Sequence, residues 1–113
     1  MKHPVWPDFI TNMPEAEVPF KDVTIWVLQG EKNQIVFTDN RITGDAHEHS
    51  HGAQWGIVVE GDMELTINGV PKIYRKGDSY FIPEGAPHSG KFKTHVCTID
   101  VFADRDRYKL KKK

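Results

Sequence analysis

A succession of short β-rich segments constrains the fold of this chain more than any other feature. From residue 23 onward, β-branched and aromatic residues cluster in segments of four to nine residues separated by turn formers. Met63, Leu65 and Ile67 alternate with polar residues, and Asn68 and Gly69 follow as a hairpin turn pair. No apolar 3.6-residue period is sustained for a dozen residues, so we predict an all-β barrel or sandwich. The predicted strands are 23–28, 34–38, 55–59, 63–67, 72–75, 79–82 and 94–102.

Length and charge narrow the class of protein. The chain has 113 residues, which corresponds to one domain with a sizeable core. Fifteen basic residues against sixteen acidic ones give a net charge of −1, which disfavours nucleic acid as a partner. No apolar run approaches the roughly 18 residues of a membrane span. Cys97 is the only cysteine, so no internal disulfide can form, and we expect a cytoplasmic protein.

The domain organisation follows from the distribution of prolines. Residues 1–22 hold four of the seven prolines, which prevents a long helix or a central strand. Trp6, Phe9 and Phe20 need cover, so this N-terminal arm is predicted to pack on the body or on a second subunit. We therefore expect a homodimer built from an arm (1–22), a barrel (23–103) and a C-terminal tail (104–113).

Histidines supply the clearest chemical signal. His47, His49 and His51 recur at every second position, which places them on one face of an extended strand. Such a row is poor core material, because each ring carries polar nitrogens, and imidazole is the commonest protein ligand of transition metals. A second segment, 77–88, is rich in glycine and proline and ends at His88.

Together these two segments resemble the paired motifs of the cupin superfamily. The first motif, G-x5-H-x-H-x3,4-E-x6-G, and the second, G-x5-P-x-G-x2-H-x3-N, both fit with departures. Glutamine replaces the glutamate, phenylalanine replaces the asparagine, and the leading glycine of the first motif is offset to Gly44. The resemblance implies an all-β, double-stranded β-helix (jelly-roll) barrel. The residues at the motif positions are His47, His49, Gln54 (for glutamate), Gly61, Gly77, Pro83, Gly85, His88 and Phe92 (for asparagine).

The same resemblance implies that His47, His49, Gln54 and His88 hold a divalent transition metal (Mn, Fe, Ni, Co or Zn). An alternative register uses His49 and His51 but leaves too few residues before Gln54, so His51 is predicted to be a turn residue or to lie behind the ligands. A cupin that has lost its metal is the other alternative. Because all four ligands would be neutral, the metal would keep its full charge, which favours an anionic ligand and Lewis-acid chemistry.

A narrower resemblance, to the small cupins that linearise unsaturated uronates in pectin breakdown, concerns the last strand. Asp100 shares a strand face with Thr98 and Phe102, and arginines follow shortly after. The resemblance implies that Asp100 is a general acid/base and that Arg105 or Arg107 binds the substrate carboxylate. Alternatively, Asp100 pairs with an arginine at the barrel rim and does no chemistry.

These observations predict a metal-dependent isomerase or lyase that acts on a small carboxylated, sugar-derived molecule. The alternatives are a non-catalytic module that binds a metal or small molecule, and an iron-dependent dioxygenase. Outside the motifs, Cys97 is predicted to be a packing residue. His3 and His95 have no partner nearby in sequence and are predicted to lie on the surface.

Overall fold

The computed structural model describes residues 2–41 and 44–112, with the side chains of residues 45–47 excluded. The regular secondary structure of the described chain is β, as predicted, apart from one four-residue helix in the N-terminal arm. No helix in this part of the chain is long and apolar enough to cross a membrane. The elements are α1 (Asp8–Thr11), β1 (Val23–Gln29), β2 (Gln34–Asn40), β3 (Gly44–His49), β4 (Gln54–Glu60), β5 (Asp62–Ile67), β6 (Val70–Arg75), β7 (Ser79–Ile82), β8 (His88–Phe92) and β9 (Cys97–Phe102).

Two antiparallel sheets pack against each other to form the barrel. One has the strand order β1-β2-β9-β4-β7 and the other β3-β8-β5-β6. Val58 and Tyr80 from the first sheet pack with Met63 and Leu65 from the second in a buried cluster. The alternation predicted for residues 63–67 therefore has its apolar side in the core, where burial of these side chains stabilises the sandwich.

Strand β9 lies inside its sheet, between β2 and β4, and its two faces have different surroundings. Phe102 packs with Ile25 and Val27 in a second core cluster. Cys97, which points to the opposite face, packs with Trp6 of the N-terminal arm. The period of two thus gives β9 one face inside the barrel and one face under the arm.

The hairpin predicted at Asn68 and Gly69 is confirmed. These two residues connect β5 to β6, and both have positive φ, 51° and 79°. Asparagine and glycine tolerate this left-handed backbone better than other residues, and the resulting turn twist matches that of the paired strands.

Strand β8 was not predicted from the sequence. Its five residues, HSGKF, contain a glycine and only one large apolar side chain, so they carry no β signal of their own. The segment is extended because β3 and β5 flank it and pair with it on both sides. Tertiary pairing here outweighs local propensity.

The arm and the tail are both fixed to the barrel. The amide of Ala16 donates to the carbonyl of Ile25 in β1 (2.8 Å), and the amide of Glu17 donates to the carbonyl of Lys109 (2.7 Å). Residues 15–17 therefore lie between β1 and the tail. Trp6 is buried against this chain's own barrel and needs no second subunit for cover.

Candidate metal centre

A loop at residues 50–53 brings a third histidine to the pair formed by β3 and β8. His49 and His88 are cross-strand partners in the register of these two strands. Beyond β3 the chain turns back, because the amide of Gly85 donates to the carbonyl of His51 (2.8 Å) and the amide of Gly52 donates to Asp104 Oδ2 (2.8 Å). These long-range bonds place the His51 ring beside the other two.

The three imidazoles converge closely enough to share one ion. Ring centroids are 4.2 Å apart for His49 and His88, 4.7 Å for His51 and His88, and 5.4 Å for His49 and His51. One ring nitrogen from each lies within 4.8 Å of the others. Three imidazole nitrogens at this spacing are a donor set suited to a divalent transition metal.

Backbone carbonyls fix which nitrogen of two of these rings carries the proton. His51 Nδ1 lies 2.8 Å from the carbonyl oxygen of Gly52, and His88 Nδ1 lies 2.9 Å from that of Ala86. A carbonyl only accepts, so Nδ1 is protonated in both rings and Nε2 keeps its lone pair. His51 Nε2 is buried without a hydrogen-bond partner among the described residues. This is the arrangement expected of metal-ligating histidines, so the residues fit a metal.

The electrostatic surroundings also favour neutral rings. Burial lowers the pKa of both His51 and His88 below the usual imidazole range, against the opposing effect of their backbone hydrogen bonds. The positive charge of Arg107 lowers both pKa values further, as do the neighbouring histidines. Unprotonated imidazole is the form that binds a metal.

Asp100 lies inside the barrel and accepts three hydrogen bonds. Tyr80 Oη donates to Oδ1 (2.5 Å), Thr98 Oγ1 donates to Oδ2 (2.6 Å), and Gln54 Nε2 donates to Oδ1 (2.9 Å). Burial raises the pKa of Asp100, although the three donors act in the opposite direction. The alternative of an arginine partner at the rim is therefore wrong: hydroxyl and amide groups satisfy this carboxylate.

Gln54 connects the Asp100 network to the predicted ligand position. Its amide nitrogen is engaged by Asp100, so its carbonyl oxygen is the atom that it can offer to a cation. Gly56 provides the space for this network, because Tyr80 and Asp100 are its partners on the two flanking strands and meet above it. A Cβ at Gly56 would lie 2.2 Å from Asp100 Oδ1.

The structure distinguishes the two arginines that the sequence left open. Arg105 is exposed. The guanidinium of Arg107 stacks over the rings of Tyr108 (4.6 Å) and Phe102 (5.5 Å), and its charge acts on His51 and His88. Its Nε is buried without a hydrogen-bond partner among the described residues. Arg107, rather than Arg105, is the cation beside the histidines.

The tail that carries Arg107 is held by a buried glutamine that sequence reasoning missed. Gln34 Nε2 donates to the carbonyl of Tyr108 (3.0 Å), and Gln34 Oε1 accepts from the amide of Tyr108 (2.9 Å). Gln34 has almost no exposed surface. Gln34 begins β2 directly after the polar turn 30–33, so the sequence carries no signal that sets it apart from an exposed turn residue.

The predicted ligand set is thus placed only in part. His49 and His88 lie together, and Gln54 is oriented by Asp100, while the side chain of His47 lies outside the described residues. His51 was predicted to be a turn residue or to lie behind the ligands, and it joins the cluster from a loop. The two facing sheets and the three converging imidazoles define this protein as a β-barrel with a histidine-rich potential metal site.

Comparison with known proteins agrees with this class. Residues 33–102 match the family model described as the cupin domain, and the chain belongs to the cupin family. The resemblance of the two histidine motifs to cupins is therefore confirmed, as is the predicted barrel fold. No curated protein sequence matches the chain.

Solved structures show the same fold. An RmlC-like cupin from Shewanella frigidimarina is 26% identical, with a TM-score of 0.70 over 79% of this chain and 82% of that one. KdgF from Halomonas sp. is 17% identical, with a TM-score of 0.69 over 80% and 87%. Salicylate 1,2-dioxygenase from Pseudoaminobacter salicylatoxidans, solved as adducts with gentisate, is 15% identical, with a TM-score of 0.69 over 85% and 31%.

Proposed function

We propose that this cupin is a metal-dependent isomerase or lyase whose substrate is a small, carboxylated, sugar-derived molecule. The observation that carries the proposal is the arrangement of the described site: His51 and His88, whose Nε2 atoms keep their lone pairs, lie beside the cationic side chain of Arg107. When bound, a divalent metal supplies Lewis-acid polarisation of a substrate oxygen. His49, His88 and Gln54, with His47 or His51, would hold it.

The proton chemistry falls to the network around Asp100. This carboxylate is enclosed, and burial raises its pKa, a direction that favours a group able to hold and release a proton. Tyr80 and Gln54 donate to the same oxygen, Oδ1, so a change in the charge of Asp100 is felt at both side chains. We assign Asp100 the role of proton reservoir and Gln54 the role of connecting it to the metal position.

Substrate orientation falls to Arg107. Its side chain is constrained by two aromatic rings, so little conformational entropy is lost when it binds a carboxylate. Arg107 would take the place that the uronate-linearising cupins give to an arginine after the last strand. Arg105, the residue first favoured for this position, provides a matched control because it is exposed and belongs to the same tail.

Calorimetry of the metal-loaded protein with galacturonate and with galactose tests the binding step. We expect galacturonate to bind and galactose, which lacks the carboxylate, to bind at least tenfold more weakly. Arg107→Gln should weaken galacturonate binding about ten- to a hundredfold, corresponding to about 1–3 kcal/mol, whereas Arg105→Gln should leave it unchanged. Equal effects of the two substitutions would contradict the assignment of Arg107.

Turnover is tested separately, with an unsaturated uronate whose conjugated double bond absorbs in the ultraviolet. A decrease in that absorbance would support an isomerase, provided that chelation of the metal and the substitution Asp100→Asn each prevent the decrease. Tight uronate binding without turnover would favour the alternative of a non-catalytic binding module. Oxygen consumption by the iron-loaded protein would favour the dioxygenase alternative.

We also propose that the protein is a homodimer. Although Trp6 is covered by its own barrel, Phe9 and Phe20 of the arm remain 73% and 57% exposed. Large apolar groups that stay in water favour a contact with another chain. Light scattering at micromolar concentration should give about twice the 13.0 kDa mass of one chain, and a monomeric mass would contradict the proposal.

A further inference from the structure

A second cluster of metal-ligating side chains lies on the outer face of the barrel, beneath the N-terminal arm. Asp39 comes from β2, Cys97 from β9, and His95 from the segment just before β9. Their ligand atoms lie within 4.8 Å of one another. Asp39 and Cys97 are buried, whereas the side chain of His95 keeps 35% of its surface exposed and provides an opening to solvent.

The geometry points to a second metal site, and we propose that Asp39, His95 and Cys97 bind a divalent cation of the zinc class. In a tetrahedral zinc site, with Zn–S of about 2.3 Å and Zn–N of about 2.0 Å, sulfur and nitrogen ligands lie about 3.5 Å apart. Cys97 Sγ lies 3.6 Å from His95 Nε2 and 3.9 Å from Asp39 Oδ1. His95 Nε2 and Asp39 Oδ1 are in direct hydrogen-bond contact, so these two atoms would have to separate by about 1 Å to share an ion. Sulfur, nitrogen and carboxylate ligands together suit zinc or cobalt, with a fourth position toward solvent for water.

His3 orients the carboxylate without being a ligand. Its Nδ1 accepts hydrogen bonds from the amides of Val5 and Trp6, both 3.0 Å. The proton therefore lies on Nε2, which donates to Asp39 Oδ2 at 2.9 Å. This bond fixes one carboxylate oxygen and leaves Oδ1 on the side of His95 and Cys97, as an outer group does for a metal-binding carboxylate.

The expectation that His3 is a surface residue is wrong, because its side chain is only 12% exposed and contacts Asp39. His95 does lie at the surface, but it also contacts Asp39. Arg41 Nε also donates to Asp39, at 3.2 Å. Although burial acts in the opposite direction, the hydrogen bonds from His3, His95 and Arg41 lower the pKa of Asp39, so the carboxylate is charged. The cluster thus contains a preformed anion beside a sulfur. Metal binding would remove the proton of the Cys97 thiol and the proton that His95 Nε2 donates to Asp39, so that both atoms can act as ligands.

The two histidine-containing clusters are separate: the outer one lies on β2, β9 and the segment before β9, whereas the barrel histidines come from β3, β8 and the 50–53 loop. Cys97 points outward and Asp100 points into the barrel, and the residues of the two clusters do not overlap. Occupation of the outer site would tie β2 and β9 to the arm through His3. This inference does not depend on the proposed activity of the barrel.

Cobalt gives a readout specific to the outer site, because Cys97 is the only cysteine in the chain. The chelator-stripped protein is titrated with Co²⁺, and thiolate-to-cobalt charge-transfer absorption is recorded in the near ultraviolet. We expect this band in the unmodified protein and in His88→Ala, which removes a barrel imidazole, and we expect it to be lost in Cys97→Ser. Absence of the band in the unmodified protein at saturating Co²⁺ would overturn the proposal.

His95→Gln provides a second test at a partly exposed position that should not disturb folding. In the His88→Ala background, Zn²⁺ should raise the melting temperature by several degrees, and adding His95→Gln should reduce that shift at least by half. Circular dichroism confirms that each variant is folded. A zinc-induced shift that is unchanged by His95→Gln would contradict the site, even if Cys97→Ser failed to fold.

Discussion

Gly56→Ala tests whether the Asp100 network requires the space above this glycine. The added Cβ would lie 2.2 Å from Asp100 Oδ1 and 2.4 Å from both Cζ and Oη of Tyr80. Ordinary carbon–oxygen contacts begin at about 3.3 Å, so each neighbour would have to move by roughly 1 Å. Both neighbours are buried, and neither is the flexible end of a long side chain.

The expected cost follows from three contributions. Overpacking of this kind costs about 1–3 kcal/mol, and loss of the Tyr80 hydrogen bond to a charged group costs about 1.5–3 kcal/mol. Reduced entropy of the unfolded chain offsets about 0.4–1 kcal/mol. The net loss in the free energy of unfolding is about 2–5 kcal/mol. With an unfolding entropy near 2.1 cal/mol/K for each of 113 residues, the melting temperature should fall by about 8–20 °C.

Gly90→Ala is the matched control. Gly90 is also a buried strand glycine, but its Cβ would meet nothing closer than 3.3 Å, so we expect a change of at most about 1 kcal/mol. Urea unfolding of both variants, after chelation, gives the two free energies. If Gly56→Ala is as stable as Gly90→Ala, the Tyr80 and Asp100 side chains do not meet above Gly56, and the reasoning about this network fails.

Three further predictions address the histidines, the thiol and the tail. The fold lowers the pKa of His88, so the unfolded chain binds more protons than the folded chain as the pH falls below about 6.5. The chelated protein should therefore lose stability in that pH range. His88→Gln should reduce this loss by up to about 1.4 kcal/mol per pH unit, as measured by urea unfolding. Burial raises the pKa of Cys97 to about 12, so iodoacetamide should label it only after urea is added, and rapid native labelling seen by mass spectrometry would contradict this. Gln34→Ala removes the two hydrogen bonds to the backbone of Tyr108, so we expect the free energy of unfolding to fall by about 2–4 kcal/mol and galacturonate binding, measured by calorimetry, to weaken. Unchanged affinity would show that the position of Arg107 does not depend on these bonds.

Patterns among neighbouring residues predicted the strands and turns, which depend on local backbone geometry. The period of two in residues 63–67 and the Asn68–Gly69 pair predicted a strand and its turn, because side-chain alternation and positive φ are properties of neighbouring residues. The two cupin motifs identified the family, and with it the meeting of His49 and His88.

Contacts between distant segments were not predictable in this way. His51 reaches the cluster because Gly85 binds its carbonyl and Asp104 binds the next amide, and neither bond is encoded near His51. The partners of Asp39 come from three separate segments, so His3 and His95 had no visible role in the sequence. Alternation showed which residues share a face of β9, but it gave no indication of what covers each face.

Strand β9 has a further consequence, which concerns exchange with solvent. Because β2 and β4 pair with it on both sides, its amides are released only when the sheet opens as a whole. Amide exchange along β9 therefore measures global opening. An ion beneath the arm and a ligand inside the barrel would each slow amide exchange in β9. Both effects would appear in this one strand, because Cys97 faces the arm and Asp100 faces the barrel interior.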